Sequence, residues 1–176
     1  MSKTLFLVCV LAASCMAADY RVSEDSRIGF SVKKFLVKTV KGEFKVFGGN
    51  LRLDGESIAA FSGEIQIASV STNDAKRDKH LLEPDFFDAA NFAQASFVMN
   101  SYEETGRNEG IEGKITGQLT LHGVSKEVVF ASVLSVEEKP RLVLHTSLNI
   151  KDFGIEGSMM NSNNVEVALE TLWDLN

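Results

Sequence analysis

The chain has 176 residues, with 18 Lys and Arg against 24 Asp and Glu and a formal net charge of −6. That balance excludes a protein built to neutralise nucleic-acid phosphates or to lie on an anionic membrane surface. Both cysteines, Cys9 and Cys15, fall within the first 18 residues. The rest of the chain has no disulfide or thiol to use, and its core alone must hold it together.

Residues 1–18 read as a secretory signal peptide. Lys3 supplies the positive start, residues 4–14 are an apolar run too short to span a bilayer, and residues 15–18 are mostly small, with cleavage after Ala17 or Ala18. The competing reading is a lipoprotein acylated at Cys15, where Ala12 stands in place of the usual larger aliphatic. Either route exports residues 19–176, read as one domain, and the expected location is the periplasm.

From there the chain alternates with period two. Ile28, Phe30 and Val32 form one row; Phe44 and Val46, Leu51 and Leu53, and Phe61, Ile65 and Ile67 form others. Ile111, Ile115, Leu119 and Leu121 come next, then Val128, Phe130, Leu134 and Val136, then Leu142, Leu144, Leu148 and Ile150. Val165, Val167, Leu169 and Trp173 complete the series. Turn signals are expected at residues 48–50, Asp54-Gly55, residues 106–110, His122-Gly123, residues 138–140 and residues 161–164. About eight strands with one apolar face predict an all-β, antiparallel meander. Their length favours a closed eight-stranded barrel over a sandwich, because closure leaves no exposed edge.

One segment breaks the alternation. Residues 70–88 read as a short helix, with Asn73 or Asp74 as N-cap and Pro84 biasing Glu83 out of the helix. Its charges pair by spacing, Arg77 with Asp74 and Lys79 with Glu83. It ends in the apolar pair Phe86-Phe87. Asp74 and Asp78, with His80 and Glu83 nearby, are the best case for acid–base catalysis, but a self-compensating surface helix explains the same residues. The other chemistries lack their residues. His80, His122 and His145 are scattered, no nucleophile elbow occurs, and Gly48-Gly49 precedes no helix. No metal site and no catalytic residue is predicted, and the chain is not expected to be an enzyme.

The inward rows are oily. The chain has 12 Phe against two Tyr and one Trp, and Phe offers no polar handle. Phe30, Phe44, Phe61, Phe97, Phe130 and Phe153, with Met99, Met159 and Met160, are expected inside. Composition alone fits a filled core as well as a hollow one. Gly113, Gly117, Ser132 and Thr146, small residues in bulky rows, tilt the reading towards a cavity.

Three motifs carry a resemblance. Thr72-Asn73-Asp74, Arg77-Asp78, His80-Leu81 and Phe86-Phe87-Asp88, followed by Phe92 and Phe97, form the first. Residues 117–126, GQLTLHGVSK, form the second, and Asp152-Phe153-Gly154 the third. Together and in this order they resemble the YceI-like family of polyisoprenoid-binding proteins, although Ala93 and Glu127 stand where the family often has Pro. The resemblance implies a lipocalin-like, eight-stranded antiparallel barrel with a short helical insertion. It also implies a periplasmic, non-enzymatic protein whose apolar cavity holds a polyisoprenoid, an isoprenoid quinone or a fatty acid or amide, and pairing as a homodimer in some members. No cofactor is expected beyond such a bound lipid, and no nucleic-acid partner. The expected tail contacts are Phe44, Phe61, Ile65, Ile67, Phe97, Met99, Ile115, Leu119, Phe130, Leu144, Leu148 and Phe153, with Phe86 and Phe87 closing one end. A filled barrel acting as a structural or stress-response interaction module is the alternative.

Overall fold

The computed structural model describes residues 17–34, 38–158 and 161–176. The expected leader lies outside the described residues up to residue 16, as do Met159 and Met160.

The alternating rows are strands. They are β1 (Ala17–Val22), β2 (Arg27–Lys34), β3 (Lys38–Phe44), β4 (Phe47–Asp54), β5 (Ser57–Gln66), β6 (Val70–Ser71), β7 (Gln94–Arg107), β8 (Ile111–Leu121), β9 (Val124–Ser135), β10 (Arg141–Asn149) and β11 (Asn161–Leu175). A single α-helix among the described residues, α1 (Ala75–Leu81), lies between β6 and β7. Eight of the strands close a ring in the order β1-β4-β5-β7-β8-β9-β10-β11, sealed by β11 against β1, and every pairing is antiparallel.

The remaining strands extend that wall. β1 and β2 lie along β11 as two parts of one bent strand, Val22 opposite Trp173 and Arg27 opposite Glu170. The bend is pinned by Ser23 N donating to Leu172 O at 2.8 Å and Leu172 N donating to Ser26 Oγ at 2.9 Å. β3 and β4 are likewise two parts of one strand, broken at Lys45 and Val46. The expected architecture, a closed eight-stranded antiparallel barrel with a short helical insertion, is the one observed.

The interior divides along the barrel axis. The turns after β4, β7 and β9 mark one end, which is filled by Leu51, Leu53, Ile58, Ile111, Ile115, Leu134, Leu142 and Trp173, all buried. The opposite end carries the β5–β7 connection with α1, the His122-Gly123 hairpin and the β10–β11 connection. That hairpin is a two-residue turn with φ of 51° and 73°, the left-handed pair that a tight antiparallel connection requires.

Several glycines act differently from the expectation. Residues 48–50 and 161–164 are not turns but lie within β4 and β11. Gly49 faces Gly63 across the ladder, and a Cβ there would meet the Ser62 carbonyl at 2.9 Å and the Trp173 ring at 3.4 Å. Near the start of β11 a register shift between Asn161 and Val165 absorbs the polar run. Gly113 and Gly117 do not hollow the barrel: the Tyr102 ring covers the first and the Phe97 ring the second. Cross-strand aromatics over glycine fill the space a side chain would take. Ser132 is buried in the same layer, opposite Gly113.

Gly117→Ala would drive a methyl into the Val98 carbonyl and the Phe97 ring. A loss of about 1–3 kcal/mol is expected in urea denaturation. Gly106→Ala, whose Cβ would meet only the Glu112 carboxylate end at 3.4 Å, should stay within about 0.5 kcal/mol of wild type.

Candidate functional site: a half-hollow barrel under a helical lid

Above the filled layer the barrel holds a cavity of ≈ 220 Å³. Its floor is aromatic. Phe61 and Phe97 stand 5.9 Å apart, Phe97 and Phe130 5.1 Å, and Phe61 and Trp173 5.9 Å, centroid to centroid. The polar atoms at the floor satisfy one another: Trp173 Nε1 donates to Thr171 Oγ1 at 3.0 Å, and Thr171 Oγ1 donates to Leu142 O at 2.7 Å. An indole and a hydroxyl so paired have nothing left to ask of a ligand.

The walls come from alternate residues of the surrounding strands. Of the expected tail contacts, Phe44, Ile65, Leu119, Leu144 and Leu148 line the cavity, with Phe61, Phe97, Phe130 and Phe153. Phe86 and Phe87 line it from the lid, and Phe87 packs edge-on against Phe44 at 5.9 Å. Three expected contacts lie elsewhere. Ile115, fully buried, belongs to the filled layer, and Met99 packs against the same cluster. Ile67 begins the single 3₁₀ turn after β5 and packs in a second cluster with Phe44, Val70 and Ala95. Alternation tells inside from outside but not the height along the barrel, and all three pack inside at a different height from the cavity.

The contacts expected from sequence leave out lining residues that the same rows contain. Ile28, Phe30 and Val32 of β2 and Val165, Val167 and Leu169 of β11 form a continuous wall. Their signal is the alternation itself. Ser62, Glu64 and Ser96 also border the cavity, on outward positions of β5 and β7 beside Gly48, Gly49 and Gly63, where the wall has no side chains to thicken it.

The lid is built from the charges that looked most like chemistry. Asp74 is the N-cap of α1 and accepts from the Lys76 and Arg77 N–H groups, both at 3.1 Å. Asp78 accepts from the N–H of buried Thr72 at 2.8 Å and from its hydroxyl. Arg77 reaches the same residue, Nε to Thr72 Oγ1 at 2.7 Å and Nη2 to Thr72 O at 2.9 Å. It also pairs with Asp74 at 3.7 Å, whereas the expected Lys79–Glu83 pair is not among the ion pairs of the described residues. His80 bonds Asp85 at 3.1 Å and stands edge-on to Phe86 at 4.9 Å. The Asp74–Asp78 pair is thus committed to capping and to Thr72.

The three sequence motifs meet at this end. The Phe92 ring lies 4.6 Å from the His122 ring. His122 Nδ1 donates to the Phe153 carbonyl at 3.2 Å, and its Nε2 is buried without a hydrogen-bond partner among the described residues. Phe153 is buried in a 3₁₀ turn, Ile150–Phe153, that Gly154 ends with φ of 72°. Gly157 N then donates to Asp85 O at 3.0 Å and ties the β10–β11 connection to the lid.

Residues 20–172 match the YceI-like domain. This chain belongs to that family. Among curated relatives, a UPF0312 protein of Pseudomonas fluorescens is 37% identical over 91% of this chain and 89% of its own length. One from Pseudomonas putida is 32% identical over 90% and 87%. Among solved structures, Burkholderia cenocepacia BcnA superposes with a TM-score of 0.79 at 19% identity, covering 86% of this chain and 98% of its own. The Campylobacter jejuni YCEI protein does so at 0.67 and 28% identity, covering 80% and 88%. A polyisoprenoid binding domain from Saccharophagus degradans matches at 0.70 and 14% identity, covering 92% and 100%.

The cap has a pH signature. The Arg77 N–H above all, with the positive charge of Arg77 and the Lys76 N–H, holds the Asp74 carboxyl below the ordinary aspartate range. A group depressed in the folded state stabilises fully above its unfolded pKa and loses that effect as pH falls through the folded value. Asp74→Asn keeps the capping oxygen and removes only the charge. Wild type should therefore resist urea better than Asp74→Asn near neutral pH, and the gap should close once pH drops below the ordinary aspartate range.

Proposed function

We propose that this chain is an exported, non-enzymatic binding or carrier protein that holds the tail of a long-chain amphiphile in the upper half of the barrel. The observation that carries the reading is the cavity itself. It is walled by Phe, Leu, Ile and Val side chains, and the polar atoms at its floor are already paired. Such a surface discriminates by apolarity and length. Each buried CH₂ contributes about 0.8 kcal/mol, so a long tail binds tightly without a specific contact.

Size gives a further constraint. A cavity of roughly 150 Å³ accepts a benzene, so ≈ 220 Å³ takes about one or two isoprene units as it stands. A longer tail must run to the mouth and displace Phe86 and Phe87. A protein of the same fold is described as a polyisoprenoid binding domain, which agrees with a tail of this kind. The committed lid carboxylates support binding over catalysis. Export to the periplasm fits the leader read from the sequence and the absence of cysteine after residue 15.

The test is organic extraction of the purified protein followed by mass spectrometry, together with titration by long-chain quinones and fatty amides. A co-purified amphiphile, or saturable uptake, is the expected outcome. An empty protein that takes up none of these would refute the proposal. Leu169→Trp, which fills the wall, should lower uptake by at least about tenfold while the barrel still unfolds cooperatively, since over-packing costs only about 1–3 kcal/mol.

A further inference from the structure

The barrel wall has one weak seam. β9 and β10 pair only from Arg141 opposite Ser135 to His145 opposite Ala131. Both strands then run on, β9 against β8 down to Val124 and β10 against β11 up to Asn149, without pairing each other. The opening is crossed by a side-chain bond, Thr146 Oγ1 donating to the Val129 carbonyl at 2.9 Å. A cleft occupies the gap, and Leu148 and Phe153 line both this cleft and the apolar cavity. The two spaces therefore adjoin through the wall.

The seam is also where the inward rows turn polar. Along β10 the inward row reads Leu142, Leu144, Thr146, Leu148, and along β9 the row of Val128 and Phe130 leads back to Lys126. Thr146 and Lys126 both line the cleft, and the outward Ser147 and Asn149 border it from the other face of β10. The polar atoms at the cavity floor are paired, and Ser62, Glu64 and Ser96 stand on outward positions of β5 and β7. An amphiphile's head therefore needs another polar site, and this one adjoins the apolar chamber.

Resting on the carrier reading, we propose that the β9–β10 seam seats the ligand's polar head, and that this head is an uncharged carbonyl group such as a quinone or an amide. Lys126, on the inward row, supplies the donor for a carbonyl oxygen, and the outward Ser147 stands at the rim of the same cleft. Glu127 and Asp152 border the same cleft, and two carboxylates against one ammonium disfavour a phosphate or carboxylate head.

The test uses the full chain bearing Ser147→Cys, an exposed position, and two probes with the same tail, decylubiquinone and decyl phosphate. Trp173, the single tryptophan, stands at the cavity floor and reports tail insertion by its emission. Thiol modification at position 147 is read peptide by peptide by mass spectrometry, so Cys9 and Cys15 do not interfere. The proposal expects decylubiquinone to shift Trp173 emission and to slow modification at 147. It also expects Lys126→Met to weaken decylubiquinone binding about fivefold, the weight of one ordinary hydrogen bond. A Trp173 response with unchanged reactivity at 147 overturns the seam and leaves the carrier reading standing. Equal protection by decyl phosphate overturns the uncharged head. No Trp173 response to either probe overturns the carrier reading and the seam with it.

Discussion

The closure made by β11 is the constraint on which the rest depends. One edge of this strand pairs with β10 from Arg141 to Asn149, and the other with β2 and then β1. An open sheet with these apolar rows would have to collapse on a second layer or expose them. A closed ring instead fixes the spacing between opposite walls through its backbone ladders. Side chains at the filled end meet in the middle, Trp173 and Leu51 among them. At the other end the inward side chains do not meet, and a chamber remains.

Much of this could be read from the sequence, because period two is a local property. A row such as Ile28, Phe30 and Val32 declares its inward face whatever lies across the barrel. The short helix was legible too: Asp74 caps it and it ends before Pro84. What escaped was non-local. Ile115, Ile67 and Met99 read as inward but say nothing of height along the axis, which is set by register with strands far away in sequence. Gly48-Gly49 reads as a turn until Gly63 and Trp173 are placed opposite. Gly113 and Gly117 suggest space until Tyr102 and Phe97 are found lying over them.

The family's motifs look unrelated in sequence because their relation is spatial. Phe92, His122 and Phe153 come from three connections at the same end of the barrel, and they meet ring to ring and ring to carbonyl. Arg77 and Asp78 act one layer out, gripping Thr72 so that the lid chain leaves β6 in a fixed direction. Polar groups that by spacing seemed suited to acid–base chemistry position the apolar residues that cover the cavity. Asp74, Arg77, Asp78 and His80 bond within the lid, and what they present to the cavity is Phe86 and Phe87.

This arrangement also sets where the molecule can open. A seven-residue helix has no stability of its own in water. α1 persists because Asp74, Thr72 and the Phe87 contact with Phe44 hold it. Those bonds are few and partly exposed, and their loss leaves the ring of ladders intact. Local opening follows the elements with the fewest buried contacts, so the lid and the unpaired β9–β10 seam should open while the end around Leu134 and Leu142 stays shut. The proposed carrier role requires that asymmetry. A chamber serving it must keep its shape when empty, and in this barrel only the covering side chains and one seam would have to move to admit a tail.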